Sequence, residues 1–286
     1  MGIRENICRK IEEARDLPTL PEIVIKVEKL ARSDSASARD LAKIMDHDPS
    51  LTARVLKVAN SVIYGGRNPI TSVTYAVARI GFTEVRNIAL SLSVLKLFTS
   101  KGFVDYAKFW KHSLAVAFAS RALQRHVRAV NDSTDDLFVM GLLHDIGIVL
   151  LDQFFPKVYH PVLDIAAKDS TSLSELEKES LGIDHAKVGS LLLERWRLPE
   201  TVVEAVRCHH FPDMAKQARI GAQVVHLANF MCNNQGIDNG IEAFPSGFSQ
   251  SSWHDTGLSV DDIPKLIDEV NEEAAKSDVM MALGGT

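Results

Sequence analysis

Six residues in the second half of the sequence are of the types that bind transition-metal ions. They are five histidines and one aspartate, namely His112, His144, Asp145, His185, His209 and His210. Imidazole nitrogens and a carboxylate are the ligands expected for iron, manganese, zinc or nickel. An adjacent His–Asp pair could contact two neighbouring ions, because successive side chains of a helix diverge by about 100°. The six residues therefore form a candidate site for one or two metal ions.

The elements that would carry these residues are predicted to be four separate helices with apolar faces. His112 shares a helical stripe with Phe109 and Val116, and His144 shares one with Ile148. Both imidazoles are therefore expected to point inward. A single buried histidine is more often a neutral core residue with a hydrogen bond than a metal ligand. The set as a whole favours a metal site, although spacing along the chain does not show that its members meet in space.

The rest of the chain also has the periodicity and the turn signals of helices. Short helices are predicted in the first hundred residues, and a loop is predicted over 236–257, where Gly, Pro, Ser and Asn are frequent. A last helix should begin near Val260, and the chain should fray beyond about Ala275. Longer helices are predicted around 105–127, 134–151, 156–168, 173–181, 184–195, 199–210 and 216–234.

The composition is that of an ordinary globular protein. The 286 residues are 46% hydrophobic and carry a formal charge of −5. There are enough apolar residues to form a hydrophobic core, and basic residues do not outnumber acidic ones. Lys and Arg are not clustered enough to predict nucleic-acid binding. No uninterrupted apolar run reaches the roughly 18–20 residues of a membrane span, and the charged start is unlike a signal peptide. We expect a cytoplasmic protein with no nucleic-acid or membrane partner.

The order of the candidate ligands resembles the HD superfamily of metal-dependent phosphohydrolases, whose signature is an early His, a His–Asp pair and a later Asp. The first two parts are Phe109-Trp110-Lys111-His112 and Gly141-Leu142-Leu143-His144-Asp145-Ile146-Gly147. The segments around His185 and around His209-His210 look like the extra metal-binding histidines of the HD-GYP branch, which hydrolyses cyclic di-GMP. The resemblance implies a metal-binding helical bundle.

Three positions depart from this pattern. Asn229 stands where the superfamily has its closing metal-binding Asp, and a neutral amide is at most a weak ligand. Ile148 stands where HD-GYP enzymes have a Lys. Phe211-Pro212 follows the His-His pair, so the Glu and the Gly-Tyr-Pro loop of that branch are absent. These departures argue against retained hydrolase activity.

The amino-terminal part of the sequence resembles the HDOD domain family. The motifs that carry this resemblance are Leu17–Pro21, Ile44–Thr52, Val55–Ser61, and Ile70–Val73 with Ala76–Gly81. The resemblance implies an all-α, two-lobed fold, with an amino-terminal helical lobe packed on an HD-like helical bundle. We predict that the lobes are residues 1–100 and 101–286, with the polar Ser100-Lys101-Gly102 at their boundary. HDOD domains usually act as output or scaffolding units in bacterial signalling.

Two functions remain open on the sequence. The favoured one is a non-catalytic bacterial signal-transduction output or scaffolding module that meets signalling proteins in trans, with retention of a bound metal as an option. The alternative is a metal-dependent HD-type phosphohydrolase that acts on a nucleotide or cyclic dinucleotide. For the first function, the polar turn after a core helix in the amino-terminal lobe is the candidate partner contact. Its residues are Asn60, Ser61, Tyr64 and Arg67.

Overall fold

The computed structural model of the chain describes residues 2–14, 16–33, 35–65, 68–98, 102–128, 136–168, 171–241 and 247–284. The regular structure in these ranges consists of α-helices and short 3₁₀ turns, and they contain no β-strand. The predicted all-α fold class is therefore confirmed. Arg67, Ser100 and Lys101, which belong to the predicted partner contact and lobe boundary, lie outside the described residues.

The chain divides into two compact units whose limits differ from the predicted lobes at both ends. The larger unit is Met1–Leu17 with Ser100–Ser277, and the smaller unit is Pro18–Thr99 with Asp278–Thr286. The first helix belongs to the larger unit because its apolar face is buried there. In addition, the Arg195 guanidinium donates hydrogen bonds to three carbonyl oxygens at its end, those of Ile11, Glu12 and Ala14. These bonds satisfy carbonyl groups that a helix end leaves unpaired.

The smaller unit is built around one helix that is buried along most of its length. Its helices are α2 (Glu22–Ala31), α3 (Ala38–Met45), α4 (Pro49–Ala59), α5 (Val73–Ile80) and the buried α6 (Phe82–Leu97). Side chains of Ser37, Asp48 and Ser72 accept a backbone hydrogen bond and cap α3, α4 and α5. A buried bidentate ion pair between Glu28 and Arg86, at 2.9 and 2.6 Å, joins α2 to α6.

The larger unit surrounds another buried helix, α7. In chain order its helices are α1 (Ile3–Glu13), α7 (Tyr106–Gln124), α8 (Leu137–Leu143), α9 (Ile146–Phe154), α10 (Pro156–Ala166), α11 (Leu173–Leu181), α12 (His185–Arg195), α13 (Glu200–Cys208), α14 (Arg219–Asn234), α15 (Gln250–Asp255) and α16 (Ile263–Ala274). A further helix, α17 (Lys276–Gly284), spans the limit between the two units. Helices α8, α14 and α16 pack on α7.

Three sequence predictions of helices differ from the structure. The helix predicted over 134–151 is broken by a turn at His144-Asp145, which separates α8 from α9. The loop predicted over 236–257 contains α15, which begins where the Ser249 hydroxyl caps the Ser252 amide. The carboxyl-terminal residues continue as α17 instead of fraying, and Met280 in this helix is fully buried.

One stretch of the described residues, Leu137–Phe154, is long and apolar enough to cross a membrane by length and composition. It comprises α8, the turn and α9, and 89% of it is buried inside the structure. Such burial is typical of core helices, which can be as long and as apolar as membrane-spanning helices.

A close approach between α9 and α12 depends on Gly147. A Cβ atom at this position would lie 2.0 Å from the carbonyl oxygen of His185 and 2.8 Å from the amide nitrogen of Gly189. Both contacts are with backbone atoms, so they cannot be relieved by a side-chain rotation. The missing side chain therefore allows the start of α12 to lie directly against the start of α9.

We predict that Gly147→Ala destabilises the protein by about 3 kcal/mol, the upper end of the range typical of overpacking, because the added Cβ forces the two backbones apart. Urea denaturation followed by circular dichroism measures the change. Gly247→Ala is the matched control, since nothing lies within 4 Å of a Cβ placed at Gly247. Equal denaturation midpoints for the two variants would contradict the packing argument.

Candidate metal centre

The structure brings all six predicted ligands together in the larger unit. His112 lies in the middle of α7, His144 and Asp145 form the turn between α8 and α9, and His185 is the first residue of α12. His209 and His210 directly follow α13. We call this set of six side chains the His/Asp cluster.

The His/Asp cluster consists of two groups that share Asp145. One group is Asp145 with His185, His209 and His210, and the other is Asp145 with His112 and His144. Within each group the candidate ligand atoms all lie within 4.8 Å of one another. A carboxylate with two oxygen atoms can bind one ion with each oxygen, so the arrangement is suited to two neighbouring ions.

The distances divide the two carboxylate oxygens between the two groups. Oδ2 of Asp145 lies 3.2 Å from Nε2 of His144 and 3.9 Å from Nε2 of His112. Oδ1 lies 3.3 Å from Nε2 of His185 and 3.5 Å from Nε2 of His209. His210 completes the second group, since its Nε2 lies 2.8 Å from Nε2 of His185.

Backbone carbonyls orient three of the imidazoles. Nδ1 of His112, His144 and His209 each lies 2.7 Å from a carbonyl oxygen, of Ile237, Gly141 and Val206 respectively. A carbonyl oxygen only accepts hydrogen bonds, so Nδ1 carries the proton in each neutral ring. The lone pair of each Nε2 then faces the Asp145 carboxylate, as in histidines whose other nitrogen is held for metal binding.

The donor set fits a metal ion. Among the described residues, Nε2 of His112, His144 and His209 is buried and makes no hydrogen bond, although each lies within 3.9 Å of an Asp145 oxygen. Buried polar atoms without partners are uncommon, because losing water without a replacement bond costs about 1–3 kcal/mol. Three such atoms around one carboxylate are explained by a cation that binds all of them.

Electrostatics put most of the cluster in the protonation states that bind metals. Burial, with the neighbouring His144, lowers the pKa of His112 to about 4, and burial likewise lowers that of His209 to about 4. The pKa of His210 is also lowered, by burial and by adjacent histidines. Burial alone would raise the pKa of Asp145, but the surrounding histidines hold it well below its usual value. Neutral imidazoles and an ionised carboxylate are the required ligand forms.

His185 differs from the other histidines because of Glu177, a buried residue that the sequence analysis did not identify. Glu177 Oε2 accepts hydrogen bonds from the His185 amide at 2.6 Å and from its Nδ1 at 2.7 Å. The Tyr159 hydroxyl donates to the other oxygen at 2.6 Å. Burial would lower the pKa of His185, but the carboxylates of Glu177 and Asp145 raise it well above 6.5. A carboxylate behind a ligating histidine increases its basicity toward a metal.

Asn239 is the other contact that the sequence analysis missed. Its side-chain amide donates to Oδ2 of Asp145 at 3.1 Å, and it is buried. Glu177 could have been noticed as a charge within the apolar stripe of α11, next to Leu173, Leu176 and Leu181. No comparable signal marks Asn239, which lies in an irregular segment.

The proposed weak ligand Asn229 is buried in α14, and its Oδ1 accepts a hydrogen bond from Asn233 Nδ2 at 2.9 Å. Its role toward a metal stays a prediction. Of the other two departures from the HD-GYP pattern, Ile148 is fully buried in α9, and Phe211 is 48% exposed at the end of α13.

The described residues of the predicted partner contact, Asn60, Ser61 and Tyr64, belong to the smaller unit. The Asn60 amide exchanges two hydrogen bonds with the backbone of Ile70, at 2.8 and 2.6 Å, which closes the loop between them. The Tyr64 hydroxyl donates to the buried carboxylate of Glu84. Ser61 is half-buried. Asn60 therefore has a structural role in this loop, and the contact itself stays a prediction.

Comparison with known proteins agrees with the helical fold and the motifs. The HDOD domain family matches residues 17–212, which is more than half of the chain. The chain belongs to the HDOD domain family. A crystal structure of an HDOD domain protein of unknown function from Geobacter sulfurreducens is 25% identical, with 97% of this chain and 98% of that chain covered and a TM-score of 0.83.

Other relatives of this HDOD chain are named for two kinds of role. A Marinobacter aquaeolei VT8 protein named for signal transduction is 24% identical (TM-score 0.77), with 100% of this chain and 61% of that chain covered. A Shewanella amazonensis SB2B protein named for phosphohydrolase activity is 22% identical (TM-score 0.76), with 99% of both chains covered. At these identities the likeness shows the fold.

An uncharacterised Treponema pallidum (strain Nichols) protein is 24% identical over 197 residues, which are 68% of this chain and 38% of the relative. The HDOD chain thus spans little more than a third of that relative.

We predict that Glu177→Gln lowers the pKa of His185 in metal-free protein, because the variant removes the nearest negative charge. NMR titration of the histidine ring signals measures the shift. In the wild type, the pair stabilises the folded state fully below about pH 6.5, the ordinary histidine pKa. This stabilisation is lost as the pH rises through the raised pKa of His185. The exposed Glu179→Gln on the same helix is the control, and an unchanged His185 titration in Glu177→Gln would refute the assignment.

Proposed function

We propose that this HDOD chain is a signal-transduction output or scaffolding module that retains one or two transition-metal ions without hydrolysing phosphoesters. The observation that carries the proposal is the burial of the His/Asp cluster. His112, His144, Asp145, His185 and His209 are each at most 2% exposed, and His210 is half-buried. Catalytic metal sites keep a coordination position open to substrate, whereas structural sites are closed.

The residues that cover the cluster support the same interpretation. The Ile237 carbonyl and the buried Asn239 amide contact His112 and Asp145, so the segment that carries them covers this side of the cluster. Ile148 and Asn229 replace a cation and a carboxylate of the HD-GYP pattern. Loss of a carboxylate ligand lowers the negative charge available to balance two cations.

The six side chains of the cluster would hold the metal. Iron, manganese, zinc and nickel suit a set of imidazoles and one carboxylate. A bound ion would stabilise the folded larger unit, because it binds the native arrangement and not the unfolded chain. It would thereby connect α7, the α8–α9 turn, α12 and the end of α13. If the ion were redox-active, the stability of this connection would depend on its oxidation state.

A metal-dependent phosphohydrolase is the second candidate. The feature that favours it is Asp145, whose two oxygens face two histidine groups. Two ions that lie about 3.5–4 Å apart can together stabilise the attacking and leaving oxygens of a phosphoester. This candidate requires the segment with Ile237 and Asn239 to move away from the cluster.

We predict that untagged protein contains near-stoichiometric metal, measured by plasma mass spectrometry after aerobic and anaerobic purification. His144→Ala should lose this metal, whereas His254→Ala, at a side chain that is 89% exposed, should retain it. The loaded wild type should leave a panel of phosphoesters, including cyclic di-GMP, unhydrolysed.

Two outcomes would decide against parts of this proposal. Wild-type protein that is folded but metal-free would refute metal retention. Hydrolysis that is abolished by His144→Ala but not by His254→Ala would establish the second candidate instead.

The partner would bind the smaller unit around the 3₁₀ turn Val62–Tyr64. Val62 is 93% exposed, and it lies between two residues of the predicted contact, Ser61 and Tyr64. Its apolar side chain is therefore available for contact with a partner.

We predict that Val62→Asp weakens capture of a signalling partner at least tenfold, about 1.4 kcal/mol, without changing stability. Quantitative affinity purification from the native host measures the loss. Ile165→Asp, an exposed apolar residue of the larger unit, is the control. If both variants captured the partner as well as the wild type does, this surface would be excluded as the binding site.

A further inference from the structure

The larger unit contains a second candidate site next to the His/Asp cluster, a cavity of about 340 Å³. Its walls come from α1, from the segment between α11 and α12, and from the region after α13. The described lining includes none of the six cluster residues. The volume lies at the lower end of the range of about 300–1,000 Å³ that is typical of small-molecule sites.

The lining is strongly basic. Four cations, Arg4, Lys178, Lys187 and Arg207, line the cavity together with one carboxylate, Asp184. Asp184 pairs with Lys178 at 3.0 Å. Arg207 pairs with Glu204 at 3.5 Å and with Glu200 at 3.8 Å, and neither of these carboxylates lines the cavity. Within the described ranges, no carboxylate lies within ion-pair distance of the Arg4 or Lys187 side chain. Like charges that face one cavity repel each other, and an anion between them would remove this repulsion.

The remaining wall is aromatic and apolar. Phe211 is 48% exposed and Met214 is 72% exposed, and both line the cavity. The Lys178 ammonium lies 4.1 Å from the centre of the Phe211 ring, so a cation and an aromatic ring lie side by side in the cavity wall. A partly exposed ring beside several cations is suited to a ligand that has both a planar ring and an anionic group.

We infer that this cavity binds a mononucleotide, with its phosphate among Arg4, Lys187 and Arg207 and its base against Phe211. The cations would recognise the phosphate, and the aromatic wall would recognise the ring. The site is separate from the metal centre, and it requires neither a bound metal nor hydrolysis.

The walls of the cavity connect it to the cluster through the backbone. Asp184 caps α12 by accepting a hydrogen bond from the Lys187 amide at 2.9 Å, and His185 lies between these two residues. Cys208 and Phe211 flank the His209-His210 pair. Three of the six candidate ligands are thus carried by segments that also line the cavity.

Isothermal titration calorimetry on the untagged full chain tests the inference with 5′-AMP, 5′-GMP, 5′-CMP and 5′-UMP, with the four nucleosides, and with inorganic phosphate. At least one mononucleotide should bind at micromolar concentration, and at least tenfold more tightly than its nucleoside or phosphate. Arg4→Glu and Lys187→Glu should each weaken this binding at least tenfold. Arg9→Glu, an exposed residue of the same helix α1 outside the cavity, should leave it unchanged.

Several results would overturn the inference. One is the absence of binding by all four mononucleotides, and another is binding that both cavity variants retain in full. If phosphate or a nucleoside bound as tightly as the nucleotide, the cavity would not recognise the phosphate and the base together. Binding that disappears after chelation, with the fold preserved, would place the nucleotide at the metal centre. Because metal content is measured separately, failure here leaves the proposed metal centre untouched, and the converse also holds.

Discussion

The larger unit depends on how it accommodates one buried carboxylate, that of Asp145. An ionised carboxylate is costly to remove from water unless charges or hydrogen bonds replace the lost solvation. The protein surrounds it with imidazoles from four segments and with the Asn239 amide. Three of these imidazoles face it with nitrogens that make no hydrogen bond to the part of the chain that the structure describes. The surrounding histidines hold this carboxylate in its ionised form, and a cation would supply the partner that the three imidazole nitrogens lack.

Much of the local structure follows from bringing these groups to one point. The turn at His144-Asp145 interrupts what would otherwise be one long apolar helix, and places both side chains on the same centre. His185 opens α12, and its backbone amide is held by Glu177, while Gly147 allows the start of α12 to come within contact of α9. Nδ1 of His144 and of His209 binds the carbonyl three residues earlier. Such short-range bonds fix each ring before any ligand arrives, so little side-chain entropy remains to be lost.

The sequence was sufficient for the residues whose chemistry is unusual in their context. Five histidines and one aspartate on apolar helices stand out, and all six meet in the structure. It was insufficient where the contact comes from an irregular segment, as for Asn239, or where a common residue acquires its role through burial, as for Glu177. The break at His144-Asp145 was missed because the apolar pattern continues through it. Helix α15 was missed because the turn-forming residues around it conceal one short helix, and tertiary packing, not propensity, retains such helices.

Burial also limits the chemistry that the cluster can perform. Hydrolysis requires substrate to reach the metal, and the cost of opening the segment with Ile237 and Asn239 would include breaking the bonds to His112 and Asp145. A closed centre would have a different use under the proposed function, because a change in its metal occupancy would be transmitted through the helices that it joins. The segments Asp184–Lys187 and Cys208–Phe211 lie between the cluster and the basic cavity, so a ligand in either place acts on the same backbone. Two sites that share structural elements in this way can influence each other reciprocally, to the extent that each ligand favours one arrangement of those elements.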